Sequence, residues 1–190
     1  MTRPARVTID PQAAAHNLAR VRQCAPNSRV LAVIKADAYG HGITRMAELF
    51  RAADGFAVAS LEEATVLRET GIQHPLVLLE GPFEIDELKL IVELGCEVVI
   101  HTDEQVRMLQ QCGRRLPVWL KFDTGMHRLG FEPHRYPDLR AVLSDIAKPL
   151  RVMTHFANAH RRGDRSVEVQ LRRFQALRSE EHTSELQSPC

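Results

Sequence analysis

The run Arg29-Val-Leu-Ala-Val-Ile-Lys35-Ala-Asp-Ala-Tyr39-Gly-His-Gly42 constrains the fold more than any other stretch. Val30 to Ile34 has no polar alternation, so it suits a parallel strand covered on both faces rather than a half-wet antiparallel one. Lys35 is then delivered at the carboxyl end of that strand. A lysine held against an apolar wall loses hydration of its ammonium, which lowers its pKa and frees a neutral amine to attack a carbonyl. The other reading of a strand-end lysine is that it simply reaches solvent, its commoner fate. The neighbours add weight to the first. Gly40 and Gly42 allow a tight turn close to a ligand, and Tyr39 offers a phenol on the same segment.

Strand and helix patterns alternate on either side of this run. After a short strand over Arg6–Ile9, Asp10-Pro11 predicts an N-cap acid and a first-turn proline opening a helix to about Cys24, with Ala14, Leu18 and Val21 as its apolar stripe. The pattern then predicts a helix over Ile43–Ala53, a strand over Gly55–Ala59, and a helix opened by a Ser60/Glu63 capping box that ends near Gly71. A strand over Leu76–Leu79, a helix over Ile85–Leu94 and a strand over Glu97–Ile100 follow. A Thr102/Gln105 capping box opens a helix to about Cys112, and Pro117–Phe122 forms the next strand. A helix over Leu139–Ala147 leads to a strand over Leu150–Thr154.

Apolar strands alternating with helices predict a parallel α/β fold, either a doubly wound sheet or a barrel. Two features favour the barrel: no GxGxxG follows the first strand, and chemically suggestive residues stand at the carboxyl ends of several strands. About six of the eight βα units of a (β/α)8 TIM-type barrel are readable, so the chain is expected to be truncated. Arg178-Ser-Glu-Glu-His-Thr-Ser-Glu-Leu-Gln-Ser188 has no apolar periodicity and resembles the conceptual translation of a sequencing-library adapter. Residues 1–177 are therefore expected to be barrel, and 178–190 a non-native tail, rather than a native disordered one.

The balance of charge narrows the partners. A net charge of +1, with basic residues scattered apart from Arg161-Arg162 and Arg172-Arg173, gives neither a phosphate-tracking stripe nor a membrane patch, so no nucleic acid and no membrane are expected. A small molecule is the default partner. Cys24, Cys96, Cys112 and Cys190 show no CxxC pairing, which fits incidental thiols in a reducing cytosol. Met1 to Val7 lacks the apolar core of a signal peptide, and no apolar run is long enough for a bilayer, so a cytoplasmic protein is expected.

Val33-Ile34-Lys35-Ala36-Asp37-Ala38-Tyr39-Gly40-His41-Gly42 resembles the pyridoxal-phosphate attachment motif of alanine racemases. The resemblance implies that Lys35 carries pyridoxal 5′-phosphate covalently and serves as one of two catalytic bases, with Tyr39 on the phosphate side. A second run, Trp119-Leu-Lys121-Phe-Asp123-Thr-Gly125-Met-His-Arg128-Leu-Gly130-Phe131, reads from its residues alone as an ion-paired βα turn. It also resembles the second signature of that family. By that likeness Arg128 lies near the cofactor's phenolic oxygen and the substrate carboxylate, and Lys121 matches a lysine carbamylated in many members, an anion able to orient Arg128. His155, at the end of the sixth strand, is either a structural hydrogen bonder or, by resemblance, the histidine that packs on the pyridine ring. His160 stands where members usually have an acid. A metal held by His155 and His160 lacks a third ligand nearby, and none is expected.

The resemblance implies an isomerase that interconverts L- and D-alanine, supplies D-alanine for peptidoglycan, and works as a homodimer. Its second base is a tyrosine from the partner subunit's carboxyl-terminal β domain, which these residues do not include, so the chain alone is expected to be inactive. Open edges at the first and sixth strands, with Val33 and Leu120 facing water or a void, are expected to make it poorly soluble. Two other functions fit parts of the pattern: a single-domain pyridoxal-phosphate carrier without turnover, and a cofactor-free Schiff-base aldolase.

Overall fold

The computed structural model describes residues 8–185, with the backbone alone from residue 178 onward. Arg6 and Val7 of the first predicted strand lie outside the described residues, and Thr8 and Ile9 have no regular structure. The described chain divides into two compact units, one reaching to Leu79 and including Leu94–Cys96, the other holding Glu80–Glu93 and the residues from Glu97 onward.

The first unit contains α1 (Pro11–Cys24), β1 (Leu31–Val33), a short helical segment α2 (Lys35–Gly40), α3 (Ile43–Leu49), β2 (Gly55–Val58), α4 (Leu61–Glu69) and β3 (Leu76–Leu78). Asp10 starts α1 as its sequence predicts: its backbone is extended and its carboxylate accepts from the N–H of Gln12 at 2.8 Å and of Ala13 at 3.3 Å, satisfying donors that no helical carbonyl reaches. Ala14 and Leu18 are buried, but Val21 is 49% exposed, so the apolar stripe is shorter than expected. The strands are parallel, with Ala32 opposite Phe56 and Ala57 opposite Val77. Every residue of β2 and β3 is buried, which bears out the unbroken apolar runs. The same expectation fails at β1, where Leu31 and Ala32 are half-buried and Val33 is 45% exposed. Glycine opens β2 because a Cβ on Gly55 would lie 2.6 Å from Leu31 Cδ2 and 2.9 Å from the Pro75 carbonyl oxygen.

The second unit contains α5 (Glu87–Glu93), most of β4 (Cys96–Ile100), α6 (Asp103–Cys112), β5 (Leu116–Lys121), a 3-10 turn at Pro133–Arg135, α7 (Tyr136–Leu143), β6 (Ala147–Met153) and α8 (Ser166–Glu185). Thr102 caps α6 through its hydroxyl, 3.2 Å from the Gln105 N–H. The reciprocal half of the predicted box is absent, because Gln105 Oε1 accepts from His101 N–H and its amide donates to the carbonyls of Glu80 and Pro82. The helix predicted over Leu139–Ala147 lies earlier, and Ala147 instead opens β6. That strand pairs with β5 through a bulge: Leu116 faces Ala147 and Val118 faces Leu150. Pro149 falls in the bulge, where its missing N–H breaks no ladder bond. Leu120 is fully buried with Val118 and Phe122, against the expectation that it faces water or a void.

The strands follow chain order as a six-stranded sheet, and the pairs β1–β2, β2–β3, β4–β5 and β5–β6 are parallel. Strand and helix alternate as in successive units of a (β/α)8 barrel. Among the described residues no helix is long and apolar enough to cross a membrane.

Helix α8 is missing from the sequence reading, and the reason is physical. Among its described side chains Val169 and Leu171 point outward at 37% and 41% exposure, whereas those it buries are Leu177 and the polar Gln170, so a polar residue interrupts the buried face. Gln170 is 2% exposed and spans one loop, donating to the His155 carbonyl at 3.0 Å and accepting from the Ala157 N–H at 3.0 Å. Replacing it with alanine leaves both backbone groups without that partner. Gln170→Ala should lower the unfolding free energy by about 1–3 kcal/mol in urea titrations.

Candidate active site

Ile34, 1% exposed, anchors the end of β1, and Lys35 follows it half-buried. The next four residues are left-handed: Ala36, Asp37, Ala38 and Tyr39 have φ of 54°, 52°, 53° and 54°. Each L-residue in that conformation costs roughly 1–2 kcal/mol, so the segment carries on the order of 4–8 kcal/mol of strain, close to the net stability of a typical domain. Something outside it must hold it. Ala38 is buried and its N–H donates to the Ile34 carbonyl at 2.8 Å. Asp37 Oδ1 accepts from the Ile43 N–H at 2.7 Å, joining the segment to the start of α3. Glu63 Oε1 accepts from the N–H of Ala36 at 2.6 Å and of Asp37 at 3.4 Å. Gly40 and Gly42, at φ of 84° and 89°, lead the chain out, as their sequence positions predict. Tyr39 is left 65% exposed, its phenol displayed on a fixed turn.

Glu63 corrects the predicted capping box. Ser60 has the extended backbone of an N-cap but makes no side-chain cap bond. Its hydroxyl bonds Glu62 instead and holds that carboxyl below the usual range. Glu63 Oε2 accepts from the Ala59 N–H at 2.8 Å, one residue before the cap, leaving Oε1 for the turn after Lys35. The spacing from Ser60 picked out the right glutamate and assigned it the wrong partners.

In the second unit β5 ends on Lys121, which is only 7% exposed. Ile100 of β4 pairs with Leu120, so the next residues along, His101 and Lys121, stand side by side. His101 Nε2 lies 3.1 Å from the Glu80 carbonyl oxygen, and its Nδ1 is buried without a hydrogen-bond partner. Burial pushes the imidazole below its ordinary pKa. Nothing in the sequence singled out His101.

Asp123 organises the loop that follows. Its Oδ1 accepts from the N–H groups of Gly125, Met126 and His127, and its Oδ2 lies 3.1 Å from His127 Nδ1. Burial alone would raise this carboxyl, but those N–H groups and the His127 charge hold it below the usual range. The loop closes where Phe131 N–H donates to the Lys121 carbonyl and Asp123 N–H to the Phe131 carbonyl, each at 2.9 Å. Gly130 is required there, since a Cβ would sit 2.6 Å from the Asp123 nitrogen. The loop is thus an acid-capped turn, with His127 Nδ1 set against Asp123 Oδ2. Arg128 projects from it, exposed. His155, also exposed, stands two residues beyond β6. The loops after β5 and β6 are tied by Thr124 and Thr154, whose hydroxyl oxygens are 2.8 Å apart, and by Arg173 of α8, which donates to the Thr124 carbonyl at 3.0 Å. Lys35 and Tyr39 therefore share one turn of the first unit, and Lys121, Arg128 and His155 belong to two linked loops of the second. Among the described residues no group of three His, Cys, Asp or Glu side chains could hold a metal ion.

The family described as "Alanine racemase, N-terminal domain" matches residues 9–190. The chain belongs to the alanine racemase family. The alanine racemase of Shewanella woodyi is 46% identical, with 90% of this chain and 49% of that protein covered. The alanine racemase of Pseudomonas syringae pv. syringae is also 46% identical, over 93% of this chain and 50% of its own length. The crystal structure of the biosynthetic alanine racemase from Pseudomonas aeruginosa superposes with a TM-score of 0.81 at 40% identity, covering 89% of this chain and 49% of that one. The crystal structure of alanine racemase from E. faecalis gives a TM-score of 0.81 at 33% identity, covering 93% of this chain and 50% of that one. The chain spans about half the length of the relatives it matches. Its six parallel strands with alternating helices are the α/β architecture of part of the TIM-type barrel domain of this family.

The lowered imidazole predicts how stability follows pH. With its folded pKa below the ordinary 6.5, His101 binds a proton more readily in the unfolded chain, so its contribution is complete above 6.5 and is lost as pH falls through the folded value. The melting temperature should therefore drop as pH is lowered beneath 6.5, and His101→Gln should flatten that part of the curve. The acid loss from Asp123, a depressed carboxyl, belongs to a separate window below 3.8.

Proposed function

We propose that the chain is part of an alanine racemase in which Lys35 holds pyridoxal 5′-phosphate covalently and L- and D-alanine are interconverted. The observation that carries this reading is half-buried Lys35 entering a fixed left-handed turn that displays the Tyr39 phenol, in a chain of the alanine racemase family. An amine and a phenol on one rigid turn suit an aldehyde that bears a phosphate. When bound, pyridoxal phosphate supplies an electron sink that acidifies the Cα–H of an amino acid.

The residues of this chain then have distinct tasks. Lys35 holds the cofactor and moves the proton at Cα on one face. Tyr39 donates its O–H toward the phosphate. Arg128, exposed on its loop, receives the substrate carboxylate and the cofactor's phenolic oxygen through a planar pair of donors. His155 would support the pyridine ring, and a carbamate on buried Lys121 would orient Arg128. The proton on the opposite face falls to a tyrosine of the partner subunit's carboxyl-terminal β domain in a homodimer. In the cell the product would supply D-alanine for peptidoglycan. A cytoplasmic place suits the free thiols of Cys24, Cys96 and Cys112. Residues 178–190 are proposed to be foreign to the domain, on the adapter-like run that begins at Arg178.

Two measurements on the full-length protein test these roles. Borohydride reduction after loading with pyridoxal phosphate should fix the cofactor on the peptide containing Lys35, and Lys35→Ala should abolish trapping and cut racemisation by at least about 10²–10⁴-fold. Trapping on a different lysine overturns the reading. For Lys121, intact mass of its peptide at mild alkaline pH should show an added carboxyl, and bicarbonate should restore activity lost on decarboxylation. An unmodified, fully active enzyme refutes the carbamate.

A further inference from the structure

We propose that Glu63 is a positioning residue for Lys35, its carboxylate fixing the left-handed turn that carries Lys35 and Tyr39. The inference rests on Lys35 being the cofactor-bearing lysine. Glu63 lies in the first turn of α4, yet its carboxylate satisfies no donor of that helix's own first turn. One oxygen takes the N–H groups of Ala36 and Asp37, the two residues directly after Lys35, at 2.6 and 3.4 Å. The other takes the Ala59 N–H just past β2 at 2.8 Å. A single anion thus joins the end of β2, the start of α4 and the turn beyond β1.

The geometry also explains why an acid is used. Three backbone donors converge on the two carboxylate oxygens, and a carboxylate accepts at both ends while carrying no proton to oppose any of them. An amide has one accepting oxygen. If it faces Ala36 and Asp37, its NH₂ confronts the Ala59 N–H, donor against donor. If it is turned round, the two turn donors lose their partner. Asp37 Oδ1 ties the turn forward to the Ile43 N–H at 2.7 Å, but the N–H groups of Ala36 and Asp37 themselves go to Glu63, and neither residue is a glycine that adopts this backbone freely. Loosening this turn alters the direction in which Lys35 and Tyr39 are presented without touching either side chain.

The test uses the full-length protein, with Glu63→Gln and Glu63→Ala compared with Leu67→Ala, a core truncation on the same helix at a fully buried position. Amide hydrogen exchange at Ala36 and Asp37 should quicken by about tenfold or more in Glu63→Ala, the loss expected for one charge-assisted hydrogen bond, and measurably in Glu63→Gln. Leu67→Ala should leave those amides unchanged although it lowers the melting temperature. Attachment of pyridoxal phosphate to Lys35, followed by absorbance and located by borohydride trapping, should slow in both Glu63 variants and not in Leu67→Ala. Unchanged exchange at Ala36 and Asp37, faster exchange with unchanged attachment, or equal slowing in Leu67→Ala overturns this proposal alone. Trapping on another lysine in the unsubstituted protein overturns the reading of Lys35 and this proposal with it. Glu63→Gln keeps the side chain's shape, so the result does not depend on Glu63→Ala folding.

Discussion

Four consecutive L-residues in left-handed conformation are a constraint that a chain does not adopt unaided, and the candidate site of the first unit is organised around holding them. Ile34 is buried ahead of the turn, Ala38 is buried within it, and Asp37 and Glu63 supply carboxylate oxygens to its backbone donors and to the helix that follows. The segment is stiff for the same reason that it is strained. A lysine placed at the entrance of such a turn has its backbone direction set, and a tyrosine at its end is displayed to solvent without being free to wander.

The second unit solves a similar problem with different materials. Its loops after β5 and β6 are long and irregular, and they are stabilised by polar groups that are buried or half-buried, with the exposed Arg173 added to them. Asp123 gathers three N–H groups, Thr124 and Thr154 bind across the loops, and Gln170 and Arg173 reach in from α8 to carbonyls and amides that no strand satisfies. Buried backbone groups have to be paired, and here side chains do what a sheet ladder cannot. Arg128 and His155 stay exposed on this scaffold.

Much of the fold was legible in the sequence, because apolar strands and capped helices are local patterns. Asp10-Pro11 starts a helix, Thr102 caps another, and the runs at Gly55, Leu76 and Glu97 are strands buried as their composition predicts. The places where reading failed share a cause. Val21 is apolar but exposed, α8 buries a glutamine, and Glu63 bonds the distant Ala36 N–H and the Ala59 N–H before the cap instead of its own helix start. Burial and hydrogen-bond partners at those positions are set by segments distant along the chain.

The sequence by itself determined the order of strands and helices, the two motifs around Lys35 and Arg128, and the family they resemble, since all of these reside in contiguous runs of residue types. Only the tertiary structure decided that the residues after Lys35 turn left-handed, that Glu63 holds them, that Lys121 is buried beside a histidine with an unpartnered nitrogen, and that α8 anchors the loop of His155. Ala-Asp-Ala-Tyr has no local preference for left-handed backbone. In the structure a carboxylate 27 residues further along the chain meets the Ala36 N–H, and such a meeting is a property of the fold and not of any window of sequence.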